Sequence, residues 1–293
     1  MVHARAELKR EEVKMLVLKR LILLTALLSL VALAGAKDSL AKRPNTLTIT
    51  GSTTVLPIAQ RAAEEFMEYQ PKANISVRGG GSGVGIAALI DGTADIADAS
   101  RPIKTKEIAA CRSKGIDPVG TVVAKDGIAV VVHPSNPLKE LSLEQLKAIY
   151  TGDISKWSDL SENGKPKPIV VVSRDVASGT FEVFKESVLK GGKTREDALM
   201  LASNKAVATT VATTPDAIGY IGLGYLSPDV KAVNMEGVAP TNEAVVSGEY
   251  QIARPLFMYT NGEPSGLAKS FIDFIMSEKG QTIVEEVGFV PVK

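Results

Sequence analysis

Cysteine is all but missing. Cys111 stands alone in 293 residues, so no disulfide can form within the chain. Its setting, Glu107-Ile108-Ala109-Ala110-Cys111, reads as helix and makes it a small packed residue. Aromatic residues amount to 5%, too few for a base-stacking surface, and a formal net charge of +1 leaves no basic excess. Both scarcities argue against a nucleic-acid partner. Histidine is just as rare. Beyond residue 36 only His133 remains, before Pro134 in a loop, so Ser-His hydrolysis would depend on that one ring. No His/Asp/Glu cluster has metal-ligand spacing. We therefore expect no catalytic residues, no metal and no cofactor. A secreted hydrolase or phosphatase is the rival class.

Long hydrophobic runs are also absent, except at the N-terminus. Lys19-Arg20 precede the apolar stretch Leu21–Ala36, which closes Ala34-Gly35-Ala36 before Lys37-Asp38. A basic flank, a short apolar centre and an A-x-A end describe a secretory signal, so residues 1–36 are read as a signal peptide cleaved after Ala36. The alternative is a retained anchor, although the run falls short of the roughly 20 residues a spanning helix needs. Met15 is an alternative start. A lipid anchor would need a cysteine at the processing site, where Ala36 stands instead. Six basic side chains (Arg5, Lys9, Arg10, Lys14, Lys19, Arg20) and three acidic ones (Glu7, Glu11, Glu12) leave with this segment, taking the remainder to −2. Such a protein holds an anion by a local site, not by a global field.

What is present is an alternation of β-branched runs and helical patterns from Thr46 onward, which indicates an α/β sheet. The pattern predicts strands at Leu47–Thr50, Ile75–Arg78 and Ala94–Ala97. It predicts helices at Val55–Tyr69, Gly83–Ile90 (capped by Ser82) and Thr105–Lys114. Val119–Val132 reads as two strands broken at Lys125-Asp126-Gly127, a crossing between lobes. Ser142-Leu143-Glu144-Gln145 is a capping box opening a helix to Tyr150. A strand at Ile169–Val172 and a helix at Thr180–Leu189 follow, with a return crossing at Ala217–Tyr225. A strand at Pro255–Tyr259 and helices at Ser265–Met276 and Glu278–Val287 close the chain. We thus expect two α/β lobes joined by two hinge crossings, with a ligand cleft between them: residues 44–126 and 226–293 in the first lobe, 127–225 in the second.

Three segments place small hydroxyl residues between a strand and a helix start, where unpaired N–H groups and the dipole favour an anion. They are Gly51-Ser52-Thr53-Thr54, Gly79-Gly80-Gly81-Ser82-Gly83, and Arg174 followed by Ser178-Gly179-Thr180. Thr53 or Thr54 alone would be read as an ordinary cap, and Arg174 alone as a surface partner of Asp175. Taken together they point to a pocket for a small, highly charged oxyanion. Ser100, within Asp95–Pro102, is a further donor or acceptor, while Arg101 is assigned an ordinary role, helping to close the lobes or pairing with Asp98. The spacing of Gly83-x-Gly85-x-x-Ala88 does not make a dinucleotide fingerprint, and Val84 breaks a nucleophile elbow.

These segments, with Tyr150-Thr151-Gly152-Asp153-Ile154-Ser155-Lys156-Trp157, resemble the substrate-binding proteins of ABC phosphate importers, from about Leu47 to Val292. The resemblance implies a periplasmic-binding-protein fold of the Venus-flytrap, type II-like kind. It implies inorganic phosphate as ligand, a membrane permease as partner, and a monomer outside the cytoplasmic membrane, periplasmic or at the cell surface. By matched position it assigns phosphate contacts to Thr53, Thr54, Ser82, Arg174, Ser178, Gly179 and Thr180. Some members of that family place an aspartate where this chain has Ser100, which leaves sulfate, molybdate or tungstate as alternative ligands.

Overall fold

The first strand shows how the sequence builds the sheet. Thr46–Gly51 (β1) alternates half-exposed threonines with buried Leu47 and Ile49, the period of two that a half-covered strand requires. The computed structural model describes residues 45–160 and 166–293; the expected signal peptide, residues 1–36, lies outside the described residues. After β1 come α1 (Leu56–Tyr69), β2 (Asn74–Gly79), α2 (Ser82–Ile90), β3 (Ile96–Ala99), α3 (Thr105–Ser113) and β4 (Pro118–Val132). Next are β5 (Glu140–Leu141), α4 (Leu143–Thr151), β6 (Val170–Arg174), α5 (Gly179–Ser187), β7 (Leu199–Leu201), α6 (Asn204–Thr213), β8 (Ala217–Gly222), β9 (Lys231–Met235) and α7 (Asn242–Ser247). The chain ends with β10 (Ala253–Asn261), α8 (Gly266–Ile275) and α9 (Glu278–Glu286).

Strand order is β2-β1-β3-β10-β4 on one side and β4-β8-β6-β7 on the other, with β4 common to both. β2 and β3 flank β1 in parallel, and β10 inserts antiparallel between β3 and β4. Two large cores follow this division. Leu47, Ile49, Ile58, Phe66, Leu256, Met258 and Phe271 fill the first. Val130, Ile149, Tyr150, Phe184, Val207, Ile218 and Tyr220 belong to the second, where Phe184 stacks on Tyr220 at 4.0 Å between centroids. The Ser142 capping box forms as expected, its Oγ accepting from Gln145 N–H at 3.0 Å and its N–H donating to Gln145 Oε1 at 2.9 Å.

Three expectations change. The stretch at Lys125-Asp126-Gly127 is not a break, because β4 runs through it as one strand. Residues 118–127 pair with β10, and residues 128–132 with β8 and β9. The return crossing is not at Ala217–Tyr225 either. β8 and β9 both pair with β4, and Val245, Tyr250 and Ile252 lie in the second core, so the chain goes back only where Ile252 leads into β10. The aromatic and glycine content of Ala217–Tyr225 reflects packing, with Gly219 set against Val207 and Val211. Finally, Ser82 does not cap α2; Gly81 holds that position with φ +100°, and Ser82 begins the helix proper.

Candidate functional site

Every hydroxyl residue assigned to the oxyanion pocket is buried, as are Arg101 and Arg174, and nearly all of them meet. Thr53 and Thr54 leave β1 through Gly51, whose added Cβ would strike the carbonyl oxygen of Asp98. Ser52 Oγ accepts from Thr54 N–H at 3.1 Å and Val55 N–H at 3.3 Å, closing the turn and freeing the threonine hydroxyls for other partners. Thr53 Oγ1 lies 3.1 Å from Arg174 Nη2, and Thr54 Oγ1 lies 3.1 Å from Thr180 Oγ1, across 121 and 126 residues of chain. Ser82 Oγ accepts from Ser100 N–H at 3.0 Å and lies 3.3 Å from Ser100 Oγ. Gly179, at the start of α5, is pressed onto both serines: a Cβ there would come within 2.5 Å of Ser100 Oγ and closer still to Ser82 Oγ. Ser178 caps α5, its Oγ accepting from Phe181 N–H at 3.2 Å.

Arg174 is only 1% exposed and does not form the surface pair with Asp175. Its Nε donates to Leu201 O and its Nη2 to Ala202 O, both at 3.0 Å, while Nη1 is buried without a protein partner among the described residues. Burial lowers the guanidinium to about 10, which still leaves it charged at neutral pH, with Tyr220 and Asp175 opposing the shift. A planar cation clamped on two carbonyls, with one nitrogen uncommitted, is well suited to an oxyanion.

A second buried arginine completes the group. Arg254, on β10, stands opposite Asp126 on β4 and donates to Asp126 Oδ2 from Nε at 3.1 Å and Nη2 at 2.8 Å. The same Nη2 lies 3.1 Å from Thr54 Oγ1 and 3.0 Å from Thr180 Oγ1. Burial pushes the Asp126 carboxyl up and the Arg254 guanidinium down, and the bonds between them oppose both shifts. Asn204, first in α6, reaches Thr53 Oγ1 at 3.3 Å and Thr54 Oγ1 at 3.0 Å. Tyr225 donates to Thr53 O. Among the described residues no group of three or more His, Cys, Asp or Glu side chains is placed to hold a metal ion.

Comparison with known proteins agrees with this geometry. A family profile described as "PBP superfamily domain" matches residues 37–279. The "Phosphate-binding protein PstS" of Bacillus subtilis (strain 168) is 39% identical over 256 residues, covering 86% of this chain and 82% of its own length. The chain belongs to the PBP superfamily and, within it, to the PstS phosphate-binding proteins. Among solved structures, a putative phosphate ABC transporter substrate-binding protein with bound phosphate from Clostridium perfringens is 37% identical with a TM-score of 0.78, over 85% of this chain and 100% of that one. An ABC-type phosphate transport receptor from Vibrio cholerae is 32% identical with a TM-score of 0.68, over 83% of this chain and 99% of that one. The two-lobed fold with two crossings is thus the PBP fold.

Sequence reasoning missed several residues of this PBP cleft, and assigned others to different partners. Arg101 pairs with Glu107, at 2.8 and 2.7 Å, rather than with Asp98. Asp98 is wholly buried, its Oδ1 has no partner among the described residues, and desolvation raises its carboxyl well above the usual range. Asp126 was hidden in the apparent break at Lys125-Asp126-Gly127, and Arg254 stood just outside the strand expected at Pro255–Tyr259, although the observed strand begins at Ala253. Asn204 follows Ser203 and looks like an ordinary helix start. The one usable signal was a charged residue inside each of two apolar strands.

Proposed function

We propose that this chain binds inorganic phosphate between its lobes and hands it to the membrane permease of an ABC importer. The observation that carries this reading is the convergence of Thr53, Thr54, Ser82, Ser100, Arg174, Ser178, Gly179 and Thr180, from both lobes, on one buried place. The names of its relatives, and the phosphate held by the Clostridium perfringens protein, support the same ligand. The lobes we assign are residues 45–126 with 253–293, and residues 127–252.

The energetics are adequate. Hydrogen bonds to a charged group contribute about 1.5–3 kcal/mol each, and micromolar affinity requires about 8 kcal/mol. A few donors in a dry cleft therefore suffice, and closure follows because the ligand binds the closed form better than the open one. His133 is turned to Ser135 of its own loop at 2.8 Å, so it offers no base to the cleft hydroxyls, and binding without turnover is the activity we assign. Export through the N-terminal segment and action as a monomer belong to the same reading.

Calorimetry on the purified protein tests it. Phosphate is expected to bind stoichiometrically, with no turnover of a chromogenic phosphate ester, and Arg174→Ala should weaken binding about a hundredfold or more. Sulfate, arsenate and molybdate are the necessary competitors, because Ser100 supplies no carboxylate to sense a bound proton. Preference for one of them, or unchanged affinity in Arg174→Ala, overturns the assignment.

A further inference from the structure

The segment that follows β3 is pinned at every residue. Ser100 N–H donates to Ser82 Oγ at 3.0 Å. Arg101 is buried; its Nη1 donates to Pro102 O at 2.9 Å and to Glu107 Oε2 at 2.8 Å, and its Nη2 to Glu107 Oε1 at 2.7 Å. Ile103 N–H donates to the Tyr259 hydroxyl of β10 at 3.0 Å. Lys104 N–H shares Glu107 Oε2 at 2.8 Å, and its carbonyl accepts from the N–H groups of Glu107 and Ile108, both at 2.9 Å. The two-pronged arginine–carboxylate bond is among the strong charge-assisted kinds. Burial pushes the Glu107 carboxyl up, but its bonds to Arg101 and to Lys104 N–H outweigh that and hold it below the ordinary value, so it is charged at neutral pH.

Both ends of this segment meet the same helix of the other lobe. A Cβ on Gly179 would come within 2.5 Å of Ser100 Oγ, and Lys104 Nζ lies 2.6 Å from Glu182 Oε2. Gly179 and Glu182 are three residues apart on α5 and so share one face. A partly exposed ion pair usually contributes little, because two long side chains must be ordered to make it. Here the backbone that carries the lysine is already fixed within the first lobe, which lowers that cost. We propose that Arg101 and Glu107 are positioning residues for ligand release: they hold Ser100–Lys104 as a rigid brace along α5, and through Lys104 they set how long the closed lobes keep their ligand. This rests on reading the cleft as the phosphate site. The brace meets α5 across the lobes, so opening breaks it, whereas encounter with ligand takes place in the open form and does not involve it. A separate bond between the lobes, from Gly83 N–H to Ala177 O at 2.9 Å, is independent of the brace. Losing the brace therefore quickens release without abolishing binding.

The test is the release of radiolabelled inorganic phosphate from the full chain into an excess of unlabelled phosphate. It compares the unaltered protein with Glu107→Gln, Lys104→Ala and the double variant. At low ionic strength each single variant should release about two- to fivefold faster, with the association rate unchanged. The double variant should release no faster than Lys104→Ala, because Glu107 acts through that lysine. High salt should erase these differences. A merely structural role for Glu107 would add to the effect of Lys104→Ala and would persist in salt. Additive acceleration, acceleration that ignores salt, or unchanged release in Glu107→Gln therefore overturns the proposal. Should Glu107→Gln fail to fold, Arg101→Lys keeps the charge, loses the two-pronged grip and enters the same cycle with the same expectations. Failure of the unaltered chain to retain phosphate would instead overturn the reading of the cleft, and this proposal with it.

Discussion

Arg254 Nη2 lies 3.0 Å from Thr180 Oγ1, although Arg254 belongs to a strand of the first lobe and Thr180 to a helix of the second. The same nitrogen is bound to Asp126 on the strand that passes between the lobes. A hinge residue thus touches the ligand-facing hydroxyls directly. Removing one member of a buried ion pair strands the other, at a typical cost of about 3–5 kcal/mol. Arg254→Ala should lose stability of that order in denaturant unfolding of the ligand-free protein, and should lose phosphate affinity as well. Loss of affinity alone would mean that Asp126 finds another partner.

Asp98 makes stability depend on pH. Its folded pKa is raised above the ordinary 3.8 by desolvation, so the folded state binds a proton that the unfolded chain releases. The sign follows from linkage: its contribution is complete below 3.8 and is lost as pH rises toward the elevated folded value. Asp98→Asn should therefore match the parent near pH 4 and exceed it at neutral and alkaline pH. Equal unfolding free energies at pH 8 would show that the carboxyl has a partner when ionised.

Gly179 offers a steric test. Alanine is a good residue for a first helical turn, and nothing in the Gly179 backbone forbids it, yet its Cβ would collide with Ser82 and come within 2.5 Å of Ser100 Oγ. Gly179→Ala should keep its melting temperature but hold the lobes apart, losing phosphate affinity and the compaction that ligand produces in small-angle scattering. Normal compaction would show that the two serines yield.

Lys104, the residue before α3, and Glu182 of α5 form an ion pair at 2.6 Å, partly exposed. Exposed pairs contribute about 0.2–1 kcal/mol and are screened by salt. Lys104→Ala should speed phosphate release roughly two- to fivefold at low ionic strength, with the difference vanishing in high salt. Stopped-flow release measured at two salt concentrations decides it. A salt-independent change would point to packing instead of charge.

How far the sequence carried the structure depended on whether a residue's signal was local. The capping box at Ser142, the glycine turn before Ser82 and the helix start at Ser178 are local arrangements of backbone and side chain, and all were placed within a few residues. The hydroxyl residues were legible as a site because each lies beside such a start. Asn204, Arg254 and Asp126 acquire their roles through contacts 74 to 200 residues apart. The return crossing was misplaced for a related reason: Lys231, Ala232 and Val233 pair with β4, far back in the chain, Val245, Tyr250 and Ile252 pack in the second core, and nothing in their own pattern says so.

The insertion of β10 between β3 and β4 has a consequence for how the protein comes into being. As the chain emerges, residues 45–126 present a sheet with the position between β3 and β4 empty, and the missing strand arrives only with residues 253–261. Residues 127–252 suffer no such wait, since their core is drawn almost wholly from one uninterrupted stretch. Maturation should begin there and finish N-terminally, the reverse of the order of synthesis, because distant pairings are slow to close. Until its last seventh is made, the chain stays unable to lock shut.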